Sequence, residues 1–352
     1  MEVRIIGTGA HIPNREHKNN QFLDNQFFDA NGESIPNNNE EIIEKFSSIT
    51  GIKERKYTDP SLNTSDLAAQ AAKIAIDDAQ IDPESLDYII LAQNVGDITA
   101  HSDQSDALPS VASRVKAKLG INNPKCVAYD LIFGCPGWVE GMIHANAFIK
   151  AGMASRCLVI GSETLSRVTD PHDRDSMIYA DGAGATIVEK SDSIPGILSH
   201  ATATFTSEGE AEFIFMGPSN KKTDDSTKYI KMQGRKVYEF ALTQVPLAMK
   251  ECLDKAEIPI KELKKIFIHQ ANLKMDEAII KRFYRLYKTP PPNDILPMNI
   301  ETFGNSSVAT IPTLLDLVRK TNFKNHKIEK GDIILFASVG AGMNINAITY
   351  QV

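Results

Sequence analysis

No segment of the chain approaches the ~18 unbroken apolar residues of a membrane-spanning helix, which sets helical membrane proteins aside. Positive charge is in deficit as well. Against 45 acidic residues stand 38 lysines and arginines, a formal charge of −7. A protein whose whole surface served nucleic acid would need the opposite sign, because phosphates are neutralised by a positive field. Cysteine is scarce: Cys126, Cys135, Cys157 and Cys252 form no CxxC pair, so neither a disulfide scaffold nor a zinc knuckle is expected. The opening Met1-Glu2-Val3-Arg4-Ile5-Ile6-Gly7 is too soon interrupted to serve as a secretory apolar region. The expectation is a cytoplasmic chain with reduced thiols.

What is present is an ordinary globular composition, 42% apolar and 24% charged over 352 residues. A prior of about 150 residues per domain suggests two domains or one duplicated unit. Internal similarity favours duplication. Residues 66–79 (DLAAQAAKIAIDDA) have helical apolar spacing, and a short break separates them from the strand-like run Leu86 to Ala92. Residues 242–256 repeat the helix, 257–262 the break, and Leu263 to His269 the strand, 177 residues after Leu86. The apolar pair 157–161 and 184–188 is matched by 332–336 and 346–350. Each half therefore reads as alternating helices and strands ending in two buried strands, a layered α/β pattern. The expected halves are residues 1–192 and 193–352. Residues 29–39 (DANGESIPNNN) and 219–226 (SNKKTDDS) read as polar connections outside the repeats.

Cys135 has the most informative setting, Phe133-Gly134-Cys135-Pro136-Gly137-Trp138. A strand arrives, a glycine turns it, and a helix is predicted from Pro136 to about Ala151 with Gly152 past its end. That places the thiol at a helix N-terminus, where free amides favour the thiolate. A small buried hydrophobe is the alternative. The other three cysteines, lacking this geometry, read as structural. His269 leaves the C-terminal end of a predicted strand, where open α/β sheets place their sites, or is merely satisfied by backbone there. Asn305, in Gly304-Asn305-Ser306, by itself would cap the helix expected from Val308. The duplication pairs this turn with Gly134-Cys135-Pro136, so two helix N-termini are expected to face one site. Gly7-Thr8-Gly9 and Gly182-Ala183-Gly184 do not open helices, so neither is a dinucleotide fingerprint. The cluster His172-Asp173-Arg174-Asp175 lacks a second ligand pair and reads as a solvated loop, not a metal site.

Taken together, Arg4 to Gly9, Thr50-Gly51-Ile52-Lys53-Glu54-Arg55, Gly134-Cys135, Asp181 to Ala185, His269-Gln270-Ala271-Asn272, Gly304-Asn305-Ser306-Ser307 and Gly340-Ala341-Gly342 closely resemble the β-ketoacyl-[acyl-carrier-protein] synthase III group of the thiolase superfamily. The resemblance runs nearly end to end. It implies a duplicated, five-layered αβαβα thiolase-like fold, a homodimer, and a catalytic triad of Cys135, His269 and Asn305. It also implies an oxyanion hole from the backbone of Cys135 and Ala341. The activity implied is decarboxylative Claisen condensation of a Cys135-bound acyl group with malonyl-acyl carrier protein, giving a 3-oxoacyl product in fatty acid initiation or a specialised lipid or polyketide pathway. Acyl-coenzyme A or an acyl carrier protein would be the donor, and no metal or organic cofactor is expected. A plain acyltransferase passing the acyl group to an alcohol or amine is the alternative on the same fold.

For the carrier protein, the resemblance points to Lys274 and Lys281, within a stretch from Lys261 to Lys288 that carries eight basic and three acidic residues. An acidic carrier would be steered to such a stretch. Coenzyme A would be held by Arg174. The tryptophan that stacks on its adenine in relatives is replaced by Lys45, and a nearby arginine by Ile49. Weaker coenzyme A recognition and a preference for carrier-bound donors are expected. Leu108, after a long loop from Asp97 to Asp106, stands where relatives often place a phenylalanine lining the partner's acyl tunnel, so a reshaped pocket is expected.

Overall fold

The computed structural model describes residues 2–102, 104–192 and 195–352. In chain order the first half begins with β1 (Glu2–His11), β2 (Arg15–Lys18), α1 (Asn39–Thr50), β3 (Glu54–Tyr57) and α2 (Thr64–Ala79). There follow β4 (Tyr88–Ala92), α3 (Val111–Lys118), β5 (Val127–Leu131), α4 (Gly137–Lys150), β6 (Arg156–Thr164) and β7 (Asp181–Ser191). The remainder comprises β8 (Ile197–Thr204), β9 (Ile214–Gly217), β10 (Tyr229–Met232), α5 (Gly234–Lys255), β11 (Leu263–Ile268) and α6 (Leu273–Leu286). It closes with α7 (Ile300–Phe303), α8 (Thr310–Thr321), β12 (Ile333–Gly340) and β13 (Asn344–Gln351). The expected division between 192 and 193 falls beside Ser193 and Ile194, outside the described residues, as is Asp103 within the 97–106 loop.

β2 with β3 and β9 with β10 form two-stranded sheets, and of the two large sheets one has the order β1-β7-β6-β4-β5 and the other β8-β13-β12-β11. Their pairings match strand for strand. β1 and β7, and β7 and β6, are antiparallel while β6 and β4 run parallel; β8, β13, β12 and β11 repeat that sequence of senses. Where the second sheet lacks a counterpart of β5, the Ile266 amide donates to the Ile295 carbonyl at 2.8 Å, so an irregular segment covers that edge. β6, β7, β12 and β13 are buried almost throughout, as strands covered on both faces are, and β6, β7 and β13 carry buried polar residues such as Glu163, Asp181 and Asn346.

Helices fill three layers around these sheets. α2 packs alanines against one face of the first sheet, and α5 with α6 covers the outer face of the second. Between the sheets lie α4 and α8, with Trp138, Met142, Leu314 and Val318 in one apolar cluster with Phe267 and Phe336. α4 can lie this close because its contact face carries glycine. A Cβ on Gly137 would come within 2.8 Å of Ala92, and one on Gly141 within 2.8 Å of Val159. α5 starts eight residues before the stretch recognised from periodicity and runs through the buried Pro246. The helix expected after Asn305 is also delayed, since a 3-10 turn over Ser307–Ala309 precedes α8.

A polar group lies buried in α6. Asp276 is 0% exposed, and neither carboxylate oxygen has a hydrogen-bond partner. Burial, with Glu277 adding repulsion, holds its pKa well above the ordinary carboxylate range. The folded chain keeps this proton while the unfolded chain releases it, so stability falls as pH rises above that range. Asp276→Asn should therefore raise the melting temperature at pH 8 and leave it little changed at pH 4. Thermal melts of both proteins across that range measure the difference.

Candidate active site

The turn before α4 is held in place by backbone contact with the loop after β12. Gly134 has φ of +66°, and a Cβ there would meet the Ala341 amide nitrogen at 2.7 Å. A Cβ on Gly340 would lie 2.5 Å from the Cys135 nitrogen. The two glycines thus let Ala341 lie beside Cys135, the arrangement expected of an oxyanion pocket made from their amides. Asn344 fixes the loop by donating to the carbonyls of Ala341 at 2.7 Å and Phe133 at 3.2 Å. Pro136 is the N-cap of α4, and its carbonyl accepts from Asn346 Nδ2 at 3.0 Å.

Asn305 reaches the same place from the second half. Its segment is paired with Tyr179 through Asn305 N to Ile178 O at 3.0 Å and Ala180 N to Asn305 O at 2.8 Å. Gly304, at φ +68°, allows this, because a Cβ there would be 2.6 Å from Arg55 Cβ. Arg55 is itself fully buried, donating to the carbonyls of Met177 and His17 and to Asn19 Oδ1. The 50–55 motif therefore supports the asparagine turn from behind. Asp181 accepts from the amides of Thr58 and Ser166 and so ties the residue after β3 to β7.

His269 continues the ladder, its amide donating to Ala337 O at 2.9 Å, and is 3% exposed. Gln270 links it to the asparagine turn. Its Oε1 accepts from the amides of Asn299 and Ile300, each at 3.0 Å, at the start of α7. His269 Nδ1 lies 2.9 Å from Thr310 Oγ1, and that hydroxyl donates to Ser307 O at 2.9 Å. With its one hydrogen so used, the hydroxyl accepts from Nδ1–H, which leaves Nε2 as the lone-pair nitrogen of the neutral ring. Burial lowers the pKa to about 4, against an upward pull from the Ser307 backbone, so the ring is neutral at pH 7.

Ser307 connects all three predicted residues, and sequence reasoning did not single it out. Its hydroxyl donates to Cys135 Sγ at 3.2 Å, its amide to Asn305 Oδ1 at 2.8 Å, and its carbonyl accepts from the Thr310 hydroxyl that holds His269. Because Asn305 Oδ1 is thereby engaged, its amide group is turned away from that contact and free to donate. Ser307 adopts φ +52°, an uncommon conformation for a residue with a side chain and one found at functional sites.

The thiol's expected ease of ionisation needs correction. Cys135 stands at the start of α4 but is only partly exposed, and burial pushes its pKa up to about 11. The Ser307 hydroxyl pulls it down and Glu163 pushes it further up. Desolvation of the anion here is the largest influence on the thiol. The other three cysteines are buried and free.

The expected binding residues lie apart from this cluster. Arg174 is exposed at the start of the 3-10 turn Arg174–Ile178, and Lys45 and Ile49 are exposed on α1. The 172–175 stretch is more than a solvated loop: Lys231 Nζ is buried against Asp170 at 2.5 Å and Asp173 at 3.1 Å. Among the described residues no cluster of histidine, cysteine or acidic side chains could hold a metal. Lys274 and Lys281 are exposed on α6, and Lys281 lies 3.8 Å from Glu277. Lys265, counted in the basic stretch, is buried and paired with Asp294, while Asp276 is also withdrawn. Leu108 is 89% exposed.

Substituting Gly340→Ala would force the Cys135–Pro136 backbone away from the loop. A loss of about 1–3 kcal/mol is expected from such overpacking. Denaturant unfolding measures it.

The geometry agrees with what the chain is similar to. Residues 129–205 match 3-oxoacyl-[acyl-carrier-protein] synthase III, and residues 253–352 match the C-terminal part of the same family. β-Ketoacyl-[acyl-carrier-protein] synthase III from Porphyra purpurea is 34% identical over 100% of this chain and 99% of its own. The protein of that name from Caldanaerobacter subterraneus is 34% identical over 96% of this chain and 94% of its own. The crystal structure of 3-oxoacyl-[acyl-carrier-protein] synthase III from Aquifex aeolicus superposes with a TM-score of 0.82 at 29% identity, covering 99% of this chain and 100% of that one. The two similar half-sheets, the helices between them and the Cys135 turn thus belong to a thiolase-type fold, and the chain is a member of the 3-oxoacyl-[acyl-carrier-protein] synthase III family.

Proposed function

We propose that the chain catalyses decarboxylative Claisen condensation of a Cys135-bound acyl group with malonyl-acyl carrier protein. The observation that carries this reading is the Ser307 node, which gathers the thiol, the asparagine turn and the histidine into one connected cluster. In the first half-reaction Sγ attacks the donor's thioester carbonyl and its proton passes to His269 Nε2. The oxyanion is stabilised by the amides of Cys135 and Ala341, and collapse expels the donor thiolate, which takes the proton from His269.

In the second half-reaction the malonyl carboxylate leaves as carbon dioxide, and the electron pair becomes an enolate. Asn305 Nδ2 and the protonated Nε2 of His269 donate to its oxygen. His269 takes this proton from solvent as malonyl-acyl carrier protein binds, and the malonyl carboxylate and the enolate formed from it supply the counter-charge that a buried imidazolium requires. The enolate carbon attacks the acyl-enzyme, the new carbon–carbon bond forms, and Cys135 leaves as thiolate. His269 then returns the proton to Sγ. One proton is consumed per turnover, and every charge is met by protein donors, so the chemistry calls for no metal or organic cofactor. Neutral His269 cannot donate from Nε2, so the expectation that it binds the enolate oxygen holds only once malonyl binding has brought it a proton.

α6 presents Lys274, Lys281, Arg282 and Arg285 to solvent, a face suited to an acidic carrier protein. Arg174 would meet a coenzyme A donor, with Lys45 a poorer adenine partner than an indole. A homodimer across β5 is part of the same proposal. β5 is an edge strand, and Val127, Ile132 and Leu108 are 47%, 69% and 89% exposed, an apolar border that a second copy would cover.

Intact-mass spectrometry with acyl-coenzyme A and acyl-carrier donors, followed by malonyl-carrier protein, tests the reaction. One acyl adduct on Cys135, lost when malonyl-carrier protein is added with release of 3-oxoacyl product, is expected. Failure of every donor to acylate Cys135 would sink the mechanism, and an adduct transferred only to alcohols or amines would favour the plain acyltransferase. Asn305→Ala should still acylate but condense about 100-fold more slowly. Sedimentation equilibrium should return twice the 38.8 kDa chain mass.

A further inference from the structure

Glu163, at the C-terminal end of β6, is 0% exposed, and its Oε2 has no hydrogen-bond partner. Its Oε1 accepts from Asn94 Nδ2 at 2.5 Å. The same nitrogen lies 3.2 Å from Ser307 Oγ, and that hydroxyl donates to Cys135 Sγ at 3.2 Å. A row of hydrogen bonds thus runs from a buried carboxyl to the nucleophile. An amide nitrogen can only donate, so one hydrogen serves Glu163 and the other serves Ser307.

We propose that Asn94 and Glu163 are positioning residues for Cys135, acting through Ser307: the amide bridges carboxyl and hydroxyl and commits the hydroxyl hydrogen to Sγ. This deepens the condensing-enzyme reading, in which the thiolate appears twice, once as it attacks the donor and once as it leaves the acyl group. Asn94 Nδ2 offers this hydroxyl no acceptor, so its hydrogen is left to Sγ and the donor is in place at both moments.

The charge on Glu163 sets how far the arrangement favours the thiolate. Burial lifts its pKa to about 8, with Asn94 pulling down and Asp181 of β7 pushing up. Above that pH its negative charge opposes the thiolate. Among the described residues Tyr179 also senses Cys135, its own pKa held far above its usual value by burial, and His269 stays neutral across this range. Glu163 and Cys135 therefore titrate against each other.

Iodoacetamide alkylation of Cys135, followed peptide by peptide from pH 7 to 10, tests this without any substrate. A change of one unit in thiol pKa alters that rate by about threefold, because reactivity of the thiolate partly offsets its abundance. Glu163→Gln keeps the acceptor for Asn94 but removes the charge. It should react about threefold faster than wild type at pH 9, with no difference at pH 7. Asn94→Ala and Ser307→Ala should both react more slowly at pH 8, and the double variant no more slowly than Ser307→Ala alone. If Glu163→Gln and Asn94→Ala follow the wild-type profile, the proposal is overturned, whatever Ser307→Ala does. Should Asn94→Ala lose its near-ultraviolet circular dichroism, Asn94→Ser is read in its place and Glu163→Gln still decides. Expected profiles in a protein that fails to condense would overturn the reaction but leave this relay standing.

Discussion

The site depends on two stretches of backbone approaching more closely than any side chain allows. A Cβ on Gly161 would lie 2.2 Å from the Val308 carbonyl oxygen, and one on Gly340 2.5 Å from the Cys135 nitrogen. The first contact seats the Ser307–Ala309 turn on β6, and the second seats the loop after β12 on the Cys135 turn. Without them Ser307 would not reach Sγ, nor Ala341 the neighbourhood of a developing oxyanion. Duplication explains why such contacts are available. α4 and α8 occupy equivalent positions between equivalent sheets, and their leading turns meet where the two halves face each other.

Close packing brings an electrostatic conflict with it. A water-poor site strengthens hydrogen bonds to an oxyanion and to an enolate, yet the same desolvation raises the Cys135 thiol to about 11 and lowers His269 to about 4. Both groups rest neutral. In the proposed reaction the nucleophile is thus stored as thiol, and Ser307, which donates to Sγ, favours the anion when substrate arrives. The Thr310 hydroxyl has a comparable part, since by accepting from Nδ1 it leaves Nε2 open to a proton from the reaction.

Much of this was legible one residue at a time. Gly134-Cys135-Pro136 announced a turn into a helix because proline suits a first turn and glycine a left-handed one, and both are found there. His269 does end a strand, and the repeat of helix, break and strand does correspond to α2–β4 and α5–β11. Less was readable where a residue's partner lies far along the chain. Glu163 and Asn94 carry no local signature, and Ser307 was only the second serine of a motif. Lys265 and Asp276 counted toward surface charge until the fold withdrew both, leaving the exposed balance of that stretch unchanged.

The sequence by itself determined the order and duplication of elements, the turn at Cys135 and the residue types able to perform acyl transfer, because periodicity, glycine and proline act over a few residues. Only tertiary structure decided that Ser307 would join thiol, amide and imidazole, which nitrogen of His269 would carry its hydrogen, and that burial would keep Cys135 protonated. Those outcomes follow from desolvation and from hydrogen bonds between residues 172 or 213 positions apart, as Ser307 is from Cys135 and from Asn94. Both depend on the packed halves as a whole.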